Sequence, residues 1–135
     1  INQFTNSNII KLGNVDTIRE FNYVNDVVEA IFQISKSKKT IGNVTNICSG
    51  RGIKIRELVD IISKLMNKKY TIQCDKKRIR PRKSEVNQLI GCNKKFNSLF
   101  KIKRKYDLKE GLKETIDWFL NENKFLKYDS NKYYI

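Results

Sequence analysis

Ile55, Leu58, Val59, Ile62, Leu65 and Met66 recur at three- and four-residue intervals, which sets them along one side of an α-helix. A face this apolar must be buried against a second layer. The flanking segments indicate which kind. Val44 to Cys48 reads as a buried-type strand before the helix, and Tyr70 to Gln73 as a short strand after it. Between the first strand and the helix lies Ser49-Gly50-Arg51-Gly52. A glycine-bearing turn there resembles a phosphate cradle, but it lacks the dinucleotide and P-loop spacings, so it is read as a strand-to-helix turn. Lys54 occupies the place where Ser, Thr or Asp would cap the helix.

The same alternation continues on both sides. Residues 1–8 read as the end of a helix and Ile9 to Leu12 as a short strand. Gly13 to Asp16 reads as a turn and Thr17 to Val24 as extended chain. Asp26 and Glu29 have the spacing of a capping box, opening a helix whose face carries Val27, Ala30, Ile31 and Ile34. It closes in Ser35-Lys36-Ser37-Lys38-Lys39, with basic charge at the negative end of the dipole. A basic loop at 75–87 precedes a short apolar segment at Leu89-Ile90, and Asn93 is expected to cap a short helix ending at Phe100. Asp107 and Glu110 predict a second capping box, opening a helix that buries Leu108, Leu112, Ile116 and Phe119. The tail at 123–135 has no periodicity; its Phe125, Tyr128, Tyr133 and Tyr134 could strap across a body. Strands alternating with helices at these lengths predict an α/β fold, treated as one unit over residues 1–135.

Composition narrows the chemistry. The chain has no histidine, which removes histidine nucleophile–base pairs and histidine-containing zinc sites. Cys48, Cys74 and Cys92 are odd in number and without a C-x-x-C pair, so neither a disulfide framework nor any metal site is expected. No apolar run approaches the roughly 18 residues of a membrane span, and a soluble, cytoplasmic setting is the expectation. The first residue is Ile1, so a piece of a longer chain is expected, with Tyr134-Ile135 as its native end. The net charge is +14. The runs 76–83 and 101–105 supply much of it and raise the alternative of a small basic nucleic-acid-binding domain. Lysines spread over every polar face, and the lack of a stacking motif, weigh against that alternative.

The most informative stretch is IIKLGNVDTIREFNYVND, from Ile9 to Asp26. Arg19 lies in its middle among residues of strand character. A strand can hold a guanidinium fork towards a phosphate or carboxylate; the plainer reading is a surface arginine paired with Glu20 or Asp16.

Four pieces, IIKLGNVDTIREFNYVNDVVEAI, GNVTNICSGRGIKIRELVDII, RIRPRKSEVNQLIGCNKKF and YDLKEGLKETIDWF, occur in this order. Together they resemble the C-terminal portion of extended short-chain dehydrogenase/reductases, the NAD-dependent nucleotide-sugar epimerases and dehydratases. Arg80-Pro81, Ser84-Glu85-Val86 and Leu89-Ile90-Gly91 are most similar to 4,6-dehydratases of the GDP-mannose and N-acetylglucosamine nucleotide types.

The resemblance implies a small substrate-binding α/β subdomain together with the last Rossmann strand and helix. It places Arg19 and Arg80 on the diphosphate of a nucleotide diphosphate sugar, Glu85 on the nucleotide ribose and Leu12 near the base. Arginine suits a diphosphate because it donates bidentate, charge-assisted hydrogen bonds, and Pro81 biases Arg80 towards extended backbone. Where the family carries Asp after the first arginine, this chain has Glu20; where it carries Gly-Trp after the short helix, Lys101-Ile102 stands instead. NAD or NADP, the glycine-rich fingerprint and the catalytic Tyr-x-x-x-Lys pair belong, by the same resemblance, to an N-terminal half. This segment alone is therefore expected to be inactive, with a homodimer expected of the intact enzyme. The implied role is activated-sugar and surface-polysaccharide biosynthesis by a 4,6-dehydratase, with a 4-epimerase as the alternative. A truncated product without activity is the blander possibility.

Overall fold

The computed structural model of the chain describes residues 1–81 and 83–121. In chain order its elements are α1 (Asn2–Asn6), β1 (Ile9–Leu12), β2 (Ile18–Glu20), α2 (Val24–Ser35), β3 (Gly52–Lys54), α3 (Ile55–Met66), β4 (Thr71–Cys74), β5 (Gln88–Leu89), α4 (Lys94–Leu99) and α5 (Leu108–Asn121). The expected α/β alternation is present.

The apolar stripe of α3 finds its second layer in a parallel pair, β1 and β4, with Ile10 opposite Ile72 and Leu12 opposite Cys74. Val59 and Ile62 are buried with Phe4, Ile10 and Ile116, while Leu12, Leu58, Leu65, Met66 and Leu112 pack around them. Phe4 meets the edge of Tyr70 at 5.8 Å between ring centroids, so the short α1 serves as a lid on this core. Lys54 provides no side-chain cap for α3. The turn before β2 does so instead: Ile55 N–H donates to the Thr17 carbonyl at 3.1 Å and Arg56 N–H to that of Val15 at 3.0 Å. Two of the orphan donors at the helix start are thereby satisfied by backbone. At the other end Asn67 takes the left-handed conformation, φ 49°, an asparagine version of the usual glycine stop. The capping box on α5 forms as expected, with Asp107 N–H on Glu110 at 2.7 Å and Glu110 N–H on Asp107 at 2.8 Å.

The second sheet is small. β2 lies in its centre, antiparallel to β3 on one side and parallel to β5 on the other.

Several expectations are corrected. Only Ile18–Glu20 of the segment 17–24 pairs as a strand, and α2 begins at Val24 with Tyr23 as its cap residue. Asp26 therefore lies inside the first turn. Its carboxylate accepts Lys105 N–H at 3.1 Å and Tyr106 N–H at 3.3 Å, binding the 103–106 loop rather than capping its own helix. Of the face expected on α2, Ala30 is buried and Ile31 is exposed; Val24, Val28, Ile31 and Phe32 form an exposed apolar stripe. Val44 to Cys48 has no ladder partner among the described residues, and Val44 is 84% exposed. A strand needs a neighbour for its backbone donors and acceptors, and none is supplied here. Strand β4 covers Thr71–Cys74 rather than 70–73, and β5 covers Gln88–Leu89. Asn93 is the cap residue of α4 but makes no side-chain cap bond. The tail at 123–135, with Phe125, Tyr128, Tyr133 and Tyr134, lies outside the described residues. Among the described residues no helix is long and apolar enough to cross a membrane.

Gly13 joins the two parts of the fold. A Cβ there would lie 2.2 Å from the Arg78 carbonyl oxygen and 2.7 Å from its carbon, so β1 can leave the core beside the 75–79 segment only without a side chain. Asp75 N–H donates to the Leu12 carbonyl at 2.7 Å and fixes the same approach. Gly13→Ala is expected to destabilise the fold by about 2 kcal/mol through overpacking against backbone, read as a lowered urea midpoint; Gly42→Ser meets no neighbouring atom and should cost only the roughly 1 kcal/mol of a side chain in the left-handed conformation.

Candidate functional site

Arg19 occupies the middle of the central strand β2, opposite Ile53 of β3 and Leu89 of β5. Its side chain turns back so that Nη1 donates to the Ile18 carbonyl at 2.8 Å. Nη2 donates to Glu85 Oε1 at 3.3 Å, the two side chains being 22% and 15% exposed. The structure thus brings together two of the four residues singled out from the sequence. The plainer pairing of Arg19 with Glu20 or Asp16 does not occur: Asp16 lies 3.9 Å from Arg56.

Arg80 is on the basic loop, exposed, and among the described residues makes no hydrogen bond or ion pair. The start of that loop is tied down by Asp75, which accepts Lys77 N–H at 3.0 Å and Arg78 Nε at 3.1 Å. These contacts, led by the Lys77 amide, hold its carboxyl below the usual carboxylate range. Leu12 packs against the core at the end of β1, and its carbonyl anchors Asp75. It therefore reaches the Arg80 loop through backbone, while its side chain does core work.

In the sequence Glu20 stands out only as a candidate partner for Arg19 and as a departure from aspartate; in the structure its carboxylate gathers two backbone segments. Oε1 accepts the Ser49 amide, the Ser49 hydroxyl at 2.8 Å and Gly50 N–H at 3.0 Å. Oε2 accepts Gly91 N–H at 2.6 Å. The glycine-bearing turn that resembled a phosphate cradle is a cradle for an anion, and the anion is a side chain of the same chain. Close packing around it explains Gly91: a Cβ there would fall 2.6 Å from Cys48 Sγ and 3.4 Å from Glu20 Oε2. Asn93 completes the arrangement by donating its side-chain amide to the Cys48 and Ser49 carbonyls at 3.2 and 3.1 Å.

Beside these groups an open cavity of about 500 Å³ is lined by Arg19, Asn22, Thr45, Asn46, Leu89 and Ile90, among others. The Thr45 hydroxyl is shielded from solvent and has no hydrogen-bond partner among the described residues. Asn22, Thr45 and Asn46 lack any motif spacing in the sequence, and only the fold places them beside Arg19. Among the described residues no group of three His, Cys, Asp or Glu side chains is placed to hold a metal ion.

The sequence model of the GDP-mannose 4,6-dehydratase family matches residues 2–115, most of the chain. The chain belongs to this family of extended short-chain dehydrogenase/reductases. It is 34% identical over 119 residues to a putative UDP-glucose 4-epimerase of Methanocaldococcus jannaschii, covering 88% of this chain and 36% of that protein. It is 28% identical over 113 residues to the GDP-6-deoxy-D-mannose reductase of Pseudomonas aeruginosa, covering 83% and 36%. Its fold matches a Pseudomonas aeruginosa protein, RMD, solved with NADPH, at a TM-score of 0.73 and 26% identity, covering 89% of this chain and 38% of that one. The chain spans just over a third of the length of these relatives.

The family's dinucleotide finds no cradle among the described residues. The glycine-bearing turn before β3, which comes nearest to one, has its Ser49 and Gly50 N–H groups already taken by Glu20.

Burial pushes the Glu20 carboxyl up, but the hydrogen bonds from Gly91, Ser49 and Gly50 outweigh it and hold the group below its ordinary 4.5. A carboxyl with a lowered folded-state pKa binds protons more readily in the unfolded chain. It therefore stabilises the fold above pH 4.5, and that stabilisation is lost as the pH falls below 4.5 through the lowered value. Glu20→Gln is expected to reduce stability at neutral pH and to flatten the acid limb, measured as urea midpoints over a pH series.

Proposed function

We propose that this chain is the nucleotide-sugar-binding portion of an NAD(P)-dependent 4,6-dehydratase that makes activated sugars for surface polysaccharide, with the cofactor-binding and catalytic half contributed by an N-terminal segment. The observation that carries the reading is Arg19, fixed on a central strand beside an open cavity in a chain of this family. Two donors of the guanidinium are committed to Ile18 and Glu85, and the fork has five, so donors remain for a diphosphate. Glu85 presents only Oε1 to Arg19, and its other oxygen can accept from a ribose hydroxyl. Arg80, free of partners among the described residues, is the second diphosphate donor, and the Leu12–Gly13 backbone borders its loop. Binding energy gathered on the nucleotide holds the sugar for chemistry performed elsewhere. A 4-epimerase is the second reading, favoured by the 34% identity to the putative UDP-glucose 4-epimerase.

The apolar stripe of Val24, Val28, Ile31 and Phe32 is the surface we assign to contact with the N-terminal half.

In the full-length protein, Arg19→Ala and Arg80→Ala are each expected to weaken nucleotide-sugar binding tenfold or more, as loss of a charge-assisted hydrogen bond requires. NAD(P) binding should stay unchanged. Calorimetric titration with UDP- and GDP-sugars measures both, and undiminished affinity in both variants would remove the site assignment. The 135-residue segment expressed alone should aggregate, and Val28→Glu with Ile31→Gln should raise its soluble fraction.

A further inference from the structure

The second sheet has very little backbone to hold it together. β2 meets β3 at three residue pairs and β5 at two, Ile18 with Gln88 and Arg19 with Leu89. So short a ladder does not by itself fix the direction of a long side chain at its centre. Arg19 and Glu20 are consecutive on β2, so their side chains leave opposite faces of the sheet.

The four donors around Glu20 are distributed with respect to that sheet. Ser49 and Gly50 precede β3 with one residue between. Gly91 follows β5 with one residue between. A single carboxylate on the central strand thus reaches both neighbouring strands just beyond the point where their backbone pairing ends. The tie is charge-assisted on every branch, and such hydrogen bonds are about twice as strong as neutral ones. Asn93 adds a second link from the 91–93 segment to the Cys48 and Ser49 carbonyls.

Glu85 cannot substitute for this device. It touches the Arg19 guanidinium itself and is carried on the segment leading into β5, so its own position depends on β5 staying against β2.

We infer that Glu20 is the positioning residue for Arg19: by fastening both flanking strands to β2 from the opposite face, it holds the guanidinium in the orientation that a nucleoside diphosphate requires. This rests on the diphosphate reading of Arg19 given above. Glu20 also borders the cavity beside Arg19, but both its carboxylate oxygens are engaged by Ser49, Gly50 and Gly91, so it acts through strand position rather than on the ligand. The added methylene relative to aspartate gives the carboxylate the reach to serve the 49–50 turn and Gly91 together.

The test is a double-mutant cycle on the full-length protein, titrated with UDP, GDP and the corresponding free nucleosides. Glu20→Gln should lower affinity for the preferred diphosphate about tenfold while leaving nucleoside affinity unchanged. The same substitution in an Arg19→Ala background should cause no further loss, because its effect passes through Arg19. Glu20→Asp should fall between wild type and Glu20→Gln. Wild-type diphosphate affinity in Glu20→Gln, or an equal loss in the Arg19→Ala background, would overturn the inference. If Glu20→Gln does not fold, Ser49→Ala, which deletes one hydroxyl donor, replaces it in the cycle with a two- to threefold loss expected. No loss, or an additive one, would be equally fatal.

A wild-type protein that binds neither diphosphate would remove the diphosphate reading instead. The clamp is then decided without ligand, by iodoacetamide labelling of the buried Cys48 followed peptide by peptide in a mass spectrometer. Faster labelling of Cys48 in Glu20→Gln supports the clamp, and an unchanged rate overturns it.

Discussion

A partly buried carboxylate surrounded by N–H donors organises the part of this molecule that carries the candidate site. Burial disfavours the charged form, and Glu20 stays ionised because two backbone segments turn their amides towards it. Neither side of the arrangement is stable alone. Without the carboxylate, the Ser49, Gly50 and Gly91 amides lose their acceptor, and for the partly sheltered Ser49 and Gly91 amides that loss is costly. Without the amides, the carboxylate would lose the interactions that offset its desolvation. The glycines follow from the same demand, since Gly91 must let Cys48 and Glu20 approach its backbone.

What could be read from the sequence was what is local. The stripe of α3 and the Asp107–Glu110 box involve residues three or four apart, and both appear as expected. Asp26 misled because the same carboxylate that suits a capping box also suits loop amides arriving from Lys105 and Tyr106. Val44 to Cys48 has strand composition but no ladder partner among the described residues, and composition cannot supply one. Glu20 was the largest omission. Its partners lie about thirty and seventy positions away, beyond the reach of any periodicity. The pairing of Arg19 with Glu85 is equally distant, and only the family resemblance had put those residues in one site.

The cationic surplus takes a different meaning beside the fold. With 28 basic and 14 acidic residues, much of the charge has no counterpart, and exposed ammonium groups contribute little to stability. Their effect is a long-range positive field, which speeds the arrival of an anionic ligand and weakens with salt. Arg19 differs in kind: it is partly sheltered and held by a carboxylate at 3.3 Å. On the proposed reading, approach and grip are supplied by different residues.

The parallel pairing of β1 with β4 bears on how the chain can be synthesised. Ile9 finds its partner in Thr71 and Leu12 in Cys74, so β1 leaves the ribosome long before the strand it pairs with. Until α3 and β4 have followed, Ile10 lacks the Val59 and Ile62 side chains that it packs with. Contacts this distant in sequence slow folding and lengthen exposure of unpaired edges. Residues 9–74 are thus the span that must be synthesised before this part of the core can close.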